Sequence, residues 1–251
     1  MTTPEQPRFI PYPTERRILR PNDELSLRGT TRSLFFDLSD PKLKTKLALL
    51  RPTPGYCVLI DMVWSTALKD RSTHEWLSRI HDTLKLSETY LSEFPRLKII
   101  GDCAMYYVPE FVIESHGGGA LSKLFLELCY VVQEEDEAAF GKTKAAVAYC
   151  SDAYEVTFQK GTEDIYGKDI DLTARLASTA CKGEIIMNEP FVERLHADSK
   201  VSSISPADSD VSKITGPQRT RFKGFEEDVN VYKLPIGGTA LSRQNYPRYF
   251  T

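Results

Sequence analysis

The sequence predicts an α+β domain in which helices cover one face of a central sheet that is mostly antiparallel. Two observations lead to this prediction. Short β-type runs and longer stretches with apolar residues at helical spacing are intermixed along the chain, and two pairs of β-type runs are close enough to form hairpins. With 251 residues, of which 41% are hydrophobic and 27% charged, the chain can build one sizeable core.

The first half of the chain is expected to supply an arm, a strand, a helix and a hairpin. Residues 1 to about 30 are rich in proline, arginine and polar side chains, which indicates an arm, and the segment SLFFDLS that follows is extended. Turn residues precede the first strand, a proline ends the helix, and Gly101 with Asp102 joins the hairpin. The predicted bounds are 56–61 for the strand, 72–94 for the helix, and 96–100 with 103–108 for the hairpin.

The second half is expected to complete the sheet. We predict helices at 120–139 and 171–180, strands at 145–149, 154–158 and 184–187, a polar loop at 197–218, and a closing hairpin of 220–225 with 229–234. The domain organisation that follows is an arm and lead-in at 1–50, one folded domain at 51–236 and a tail at 237–251.

Charge and composition exclude several classes of function. A net charge of −3 gives no general attraction to nucleic acids or to an anionic membrane. No apolar stretch approaches the roughly 18 to 20 residues that span a bilayer, and the N-terminus lacks the apolar region of a secretion signal, so we expect a cytoplasmic protein. Five scattered cysteines without a CxxC pair indicate reduced thiols.

Two aspartates stand where apolar strands end: Asp61 in GYCVLIDMVWST and Asp102 in RLKIIGDCAMYYV. A carboxylate at the end of a buried strand has lost much of its water and needs a cation or several donors to stay ionised. Two such acids on neighbouring strands indicate a divalent metal site open to substrate phosphates. The alternative is that each acid is an ordinary turn or helix cap.

Several other catalytic signatures are missing or incomplete. His116 with Gly117 to Gly119 is similar to the oxyanion loop of lipases, but the chain has no GxSxG elbow. It also has no GxxxxGK phosphate loop, no GxGxxG after a strand and no HExxH.

A second group of charged residues lies on the hairpin and around the third helix. Lys98 is close to Asp102 on the hairpin, and the segment that begins at Asp164 leads through Asp171 into a helix that carries Arg175. Asp171 and Arg175 share a helix face, so an ordinary surface ion pair is the alternative to a functional role.

Five segments in order resemble the successive motifs of class III nucleotidyl cyclases. These segments are IDMVWST, LKIIGDCAM, DIYGKDIDLTARLAS, GEIIMNE and RFKGF, and together they cover residues from about 54 to 235. The resemblance implies a ferredoxin-like cyclase fold that works as a head-to-tail homodimer with active sites at the interface. It also implies a nucleoside triphosphate as substrate.

The resemblance implies a role for each candidate site residue. Asp61 and Asp102, with the backbone of Met62, would hold two Mg²⁺ or Mn²⁺ ions. The turn that includes Ser65 and Thr66 would cradle the phosphates. The other residues would come from the partner subunit: Arg175 to neutralise charge on the α-phosphoryl group, Asp171 to orient the ribose, and Lys98 and Asp164 to select the base.

Three positions depart from the usual cyclase pattern. Asp171 stands where Asn is usual, Trp64 where Gly is common, and Ser65 where Phe is common. With Arg96 expected beside Lys98 on one strand face, and with no sensor or membrane domain, the chain resembles the stand-alone pyrimidine cyclases of bacterial Pycsar antiphage systems. The alternative for Arg96 is an ordinary solvent-facing strand residue.

The resemblance to pyrimidine cyclases implies a specific reaction. The expected product is 3′,5′-cyclic UMP from UTP, with CTP as the second choice, and a separate effector that senses cyclic nucleotides would detect it. Lys98 and Asp164 alone would also suit adenine, so an adenylate cyclase is one alternative. A catalytically inactive nucleotide-binding domain is another.

Overall fold

A seven-stranded sheet organises the chain in this computed structural model, which describes residues 34–94, 96–133, 143–159, 162–201 and 213–236. The strand order is β3-β4-β2-β5-β7-β9-β8, and β1 pairs with β6 in a separate two-stranded sheet. The strands are β1 Leu34–Phe35, β2 Gly55–Met62, β3 Arg96–Ile100, β4 Cys103–Pro109, β5 Thr143–Cys150, β6 Val156–Thr157, β7 Glu184–Asn188, β8 Thr215–Thr220 and β9 Val229–Pro235. The helices are α1 Leu43–Ala48, α2 Ser65–Arg71, α3 Thr73–Tyr90, α4 Glu110–Ser115, α5 Ala120–Gln133, α6 Lys168–Thr179 and α7 Glu189–Val201.

The large sheet is antiparallel except at one pair of strands. Strand β2 lies in its centre and pairs antiparallel with both β4 and β5. Strands β5 and β7 run parallel, and the chain between them passes through α6, as a parallel crossover requires. The predicted α+β fold with an antiparallel-rich sheet is therefore confirmed.

Helices cover both faces of the sheet, so the expectation of helices on one face was wrong. Alternate residues of β2 belong to two different cores: Val58 and Ile60 to one, Cys57 and Leu59 to the other. The first core, here called the helix-rich core, is packed by α3, α4, α5 and α7, and the second, here called the α6 core, is packed by α6. Because β2 is apolar on both faces, its sequence contained the evidence for two cores.

The first half of the chain closely follows the predicted elements. The first strand and the hairpin are confirmed as β2 and as β3 with β4. Helix α3 begins after Ser72, whose side chain accepts a 3.2 Å hydrogen bond from the Glu75 backbone N–H. The helix ends at Tyr90, four residues before the predicted end, and Pro95 lies outside the described residues. The short helices α1 and α2 were not predicted.

Two predictions for the second half were wrong. The expected loop at 197–218 contains the end of α7 and the start of β8, while 202–212 lie outside the described residues. Helix α7 buries Phe191, Val192 and Leu195, which have helical spacing. The first strand of the closing hairpin is β8 and not 220–225, since Phe222 and Phe225 pack against each other in the turn. Residues 134–139 of the second predicted helix also lie outside the described part.

The segment before β2 packs against the segment after β5. Strand β1 runs parallel to β6, and the Phe36 backbone N–H donates to the Thr157 carbonyl at 2.8 Å. Phe36 and Val156 form a small separate core with side chains from α1. The strand predicted at 154–158 is shorter than expected, and Tyr154 forms an isolated bridge with Tyr166. Among the described residues, no helix is long and apolar enough to cross a membrane.

Candidate active site

Asp61 and Asp102 lie at the same edge of the sheet. Ile60 of β2 pairs with Ala104 of β4, which places Asp61 and the turn that carries Asp102 side by side. Burial, reinforced by the charges of both aspartates, raises the pKa of the Cys103 thiol between them to about 12. The structure thus brings the two predicted acids together, and we call them the acidic pair.

Lys144 is a member of this site that the sequence did not reveal. It lies opposite Asp61 in the register of β2 with β5, and its Nζ is 3.2 Å from Asp61 Oδ2. Burial raises the pKa of Asp61, Lys144 opposes that rise, and the nearby charge of Asp102 adds to it. No short motif includes Lys144, because its position depends on which strand pairs with β2.

The acidic pair fits a hard divalent cation. Its donors are carboxylate oxygens, which Mg²⁺ and Mn²⁺ prefer, and Cys103 stays protonated beside them. The mutual repulsion of the two carboxylates is what a bound cation would relieve. Within the described ranges, no group of three or more His, Cys, Asp and Glu side chains could hold a metal. The remaining ligands would therefore be water, backbone such as Met62, and substrate.

The turn after Asp61 is held by two tryptophans. Trp64 has a left-handed backbone with φ of 61°, its side chain is 62% exposed, and Lys182 Nζ lies 4.9 Å from its ring centroid. The Trp76 indole N–H donates to the Ser65 hydroxyl at 2.8 Å, while Thr66 is exposed at the start of α2. The predicted phosphate turn is thus fixed by side-chain contacts from its own chain.

Lys98 and Asp164 form an ion pair within the chain, although 66 positions separate them. Asp164 also accepts hydrogen bonds from the Ile165 backbone N–H at 2.8 Å and from the Tyr166 hydroxyl at 3.0 Å. Burial alone would raise the pKa of Asp164, but these donors outweigh burial and lower its pKa. The pair is half-buried, and its carboxylate is ionised near neutral pH.

The expectation that Arg96 and Lys98 share a face of β3 is wrong. Arg96 pairs with Tyr106 and Lys98 with Met105, so β3 contains one residue more than β4 between these positions. Tyr106 belongs to the helix-rich core and Met105 to the α6 core. Arg96 lies on the helix-rich side, where its Nη1 is 2.7 Å from Glu88 Oε1.

Asp171 and Arg175 are both exposed on α6. In the part of the chain that the structure describes, neither side chain forms an ion pair, so the surface pair considered from their spacing is not formed. They also make no hydrogen bond or ion pair with the acidic pair or with Lys98 and Asp164 there. Within one chain, the predicted site residues therefore form three separate groups: the acidic pair, the Lys98–Asp164 pair, and Asp171 with Arg175.

Solved structures of nucleotide cyclases share this fold. An adenylate cyclase from Trypanosoma brucei in its monomeric state is 17% identical, with 74% of this chain and 91% of that chain covered and a TM-score of 0.54. The guanylate cyclase domain of RhGC from Catenaria anguillulae, in complex with GTP, is 13% identical, with coverages of 73% and 97% and a TM-score of 0.54.

The catalytic core of a rhodopsin-guanylyl cyclase with converted specificity, in complex with ATPαS, is 12% identical, with coverages of 73% and 96% and a TM-score of 0.55. No family model matches the chain, and no curated protein matches it either. These likenesses confirm the predicted fold, which is that of class III cyclase catalytic domains.

Proposed function

We propose that this chain is a nucleotide cyclase that converts UTP, by preference, into 3′,5′-cyclic UMP and pyrophosphate. The observation that carries the proposal is the assembly of the acidic pair at one sheet edge, on a fold that adenylate and guanylate cyclases share. The Lys98–Asp164 pair supports it further, because the resemblance assigns these two residues to the base.

The proposed reaction is an intramolecular phosphoryl transfer. The 3′-oxygen attacks the α-phosphorus, the bond from that phosphorus to the oxygen bridging to the β-phosphate breaks, and pyrophosphate leaves. The proton of the 3′-hydroxyl passes to water. Bound Mg²⁺ or Mn²⁺ would supply Lewis acidity that lowers the pKa of the 3′-hydroxyl and neutralises the triphosphate. Asp61 and Asp102 would hold the ions, while Lys144 favours the ionised form of Asp61 before they bind.

The proposed active site combines residues of two copies of the chain. Within one chain, Arg175 is exposed and without an ionic partner among the described residues, and neither it nor Lys98 forms a hydrogen bond or ion pair with the acidic pair there. A head-to-tail homodimer would bring Arg175, Asp171, Lys98 and Asp164 of one copy to the acidic pair of the other. The guanidinium would then stabilise charge that develops on the α-phosphoryl group.

The choice of UTP, with CTP second, rests on the resemblance to stand-alone pyrimidine cyclases and on the bulky turn at Trp64. Arg96 no longer supports it, because that side chain lies on the other face of β3. A specific observation favours a second candidate, ATP: the ionised Asp164 can accept from an amino group while Lys98 beside it donates to the adjacent ring nitrogen, and adenine and cytosine both offer these two groups.

We further propose that the cyclic nucleotide serves as a second messenger in antiphage defence, detected by a separate effector. This part rests on the resemblance alone. A neighbouring gene for an effector that senses cyclic nucleotides would support it. Cells that carry the chain and that effector should survive phage infection better than cells with an Asp102→Ala chain.

The deciding experiment is to incubate the purified protein with each of the four ribonucleoside triphosphates and Mn²⁺ or Mg²⁺, and to identify the products. We expect cyclic UMP as the main product. Asp102→Ala should abolish turnover, whereas Asp70→Asn, which changes an exposed acid on α2, should leave it unchanged. Turnover of ATP without UTP or CTP would disprove the pyrimidine preference, and turnover of none would favour the inactive nucleotide-binding domain.

A further inference from the structure

Tyr166 places a hydroxyl group directly on Asp164. Its O–H donates to Asp164 Oδ2 at 3.0 Å, while Lys98 Nζ and the Ile165 backbone N–H both bind the other oxygen, Oδ1. Both carboxylate oxygens are therefore held by different donors. An aspartate carboxylate otherwise rotates easily, because its terminal torsion has broad and roughly two-fold preferences.

The fold fixes Tyr166 itself. Its backbone N–H and carbonyl exchange two hydrogen bonds with Tyr154, of 3.0 and 2.7 Å. Its ring centroid lies 5.8 Å from that of Phe158. The next residue is Gly167, where a Cβ would come within 2.7 Å of the Asp152 carbonyl oxygen, so the chain there has no room to shift.

Tyr166 is 44% exposed, so this residue is open to solvent beside the half-buried Lys98–Asp164 pair. A hydroxyl can donate and accept, whereas the lysine only donates and the ionised aspartate only accepts. The three side chains together offer every type of hydrogen-bonding group that the polar edge of a nucleobase needs.

We propose that Tyr166 is a positioning residue for base choice: its hydroxyl fixes the orientation in which Asp164 faces the nucleobase. This inference rests on the proposed function, because it takes Lys98 and Asp164 to recognise the base. Bases differ in the order of donors and acceptors along one edge, so an acceptor that can rotate discriminates less well than a fixed one. Loss of the hydroxyl should therefore weaken discrimination more than catalysis.

The test compares Tyr166→Phe with Tyr154→Phe. The first variant removes the hydroxyl on Asp164 and keeps the ring on Phe158. The second removes the hydroxyl of Tyr154, which is paired with Tyr166 in the isolated β-bridge. The hydrogen bonds between these two residues join backbone atoms only. For both variants and the wild type, kcat and KM are measured with all four triphosphates.

For Tyr166→Phe we expect the ratio of kcat/KM between the preferred and the second-best base to fall by about tenfold, mainly through KM. Tyr154→Phe should keep the wild-type ratio. Tyr166→Gln, which restores a donor, should recover part of it.

Each other outcome counts against a specific claim. A wild-type ratio in Tyr166→Phe, or an equal loss of kcat/KM for all four bases, would disprove the role of Tyr166 while the proposed cyclase activity stands. If the wild-type protein turns over none of the four triphosphates, the proposed function and this inference both fail. The assay of the wild type, without any variant, distinguishes this outcome from a failure of the inference alone.

Discussion

At the level of single residues, Asp61 is subject to opposing influences. Burial and the charge of Asp102 disfavour its ionised form, and Lys144 favours it. Lys144 thus acts as an internal counter-ion where a divalent cation would bind. By favouring the ionised form of Asp61, Lys144 makes it easier for this carboxylate to lose the proton that a bound cation would displace.

Replacement of Lys144 by Met should destabilise the metal-free protein by about 1–2 kcal/mol, because it leaves a half-buried carboxylate without its partner. Chemical denaturation without metal measures this loss. Asp61→Asn in the same chain should recover part of it. Lys46→Met breaks an ion pair with Asp40 at a more exposed site and should cost less than about 1 kcal/mol. Equal losses in the two single variants would contradict a special role for Lys144.

At the level of elements, the β1–β6 sheet connects the start of the described chain to the Lys98–Asp164 pair. Phe36 is buried against Val156, β6 leads to Phe158, and Phe158 packs on Tyr166. The domain bounds predicted from the sequence place this support in the lead-in at 1–50, so the lead-in contributes to the site although it lies outside the predicted domain.

Phe36→Ala should loosen β6 locally without unfolding the large sheet, because the small core around Phe36 is separate from the two large ones. Hydrogen exchange should show faster exchange of the Tyr154 and Tyr166 amides, with the amides of β5 unchanged. Phe35→Ala is the matched control, since Phe35, the neighbouring residue at the end of β1, is 43% exposed. Unchanged exchange at Tyr154 in Phe36→Ala would refute the proposed support.

The elements that sequence patterns revealed are those with strong local signals. Apolar runs and turn residues predicted β2 and the β3–β4 hairpin, and helical spacing predicted α3 and α6. Strand β8 has no alternating pattern, because it is an edge strand whose residues are nearly all exposed. Lys144 and the orientation of Arg96 depend on strand pairing and on a bulge, which are set by contacts far apart in the sequence.

At the level of the whole molecule, the proposed active site requires two chains. In a mixture of Asp61→Ala and Arg175→Ala proteins, each heterodimer would contain one intact site and one with both defects. Random pairing makes half of the dimers heterodimers, so a 1:1 mixture should recover about a quarter of wild-type activity. Each variant alone should be inactive. No recovery in a mixture whose heterodimers are verified by mass spectrometry would refute the shared site.

The stability of the molecule should depend on Glu127. Its side chain is buried in α5, its Oε2 has no hydrogen-bond partner among the described residues, and burial raises its pKa to about 8 from 4.5. The folded state therefore binds a proton that the unfolded state releases. The stabilisation that this bound proton gives to the folded state is complete below pH 4.5 and is lost as the pH rises through 8.

Glu127→Gln should remove this pH dependence. The free energy of unfolding of the wild type relative to the variant should fall between pH 5 and 8, by at most about 1.4 kcal/mol per pH unit. Urea denaturation at several pH values measures it. Glu114→Gln changes an exposed position of α4, and its free energy of unfolding should change with pH as that of the wild type does. A constant difference between wild type and Glu127→Gln across this range would show that Glu127 is already ionised at pH 5.

The extra residue in β3 makes the length of that strand a determinant of the site. Because side chains alternate between faces, one residue inserted in β4 opposite Leu97 would restore a regular ladder and put Arg96 on the face that Lys98 occupies, whereas deletion of Leu97 would keep the two on opposite faces. Relatives of this protein could therefore change the chemistry at this position by gaining one codon in β4, without replacing either basic residue. Comparison of such relatives should consequently align the strand by its partners on β4 and not by residue type alone.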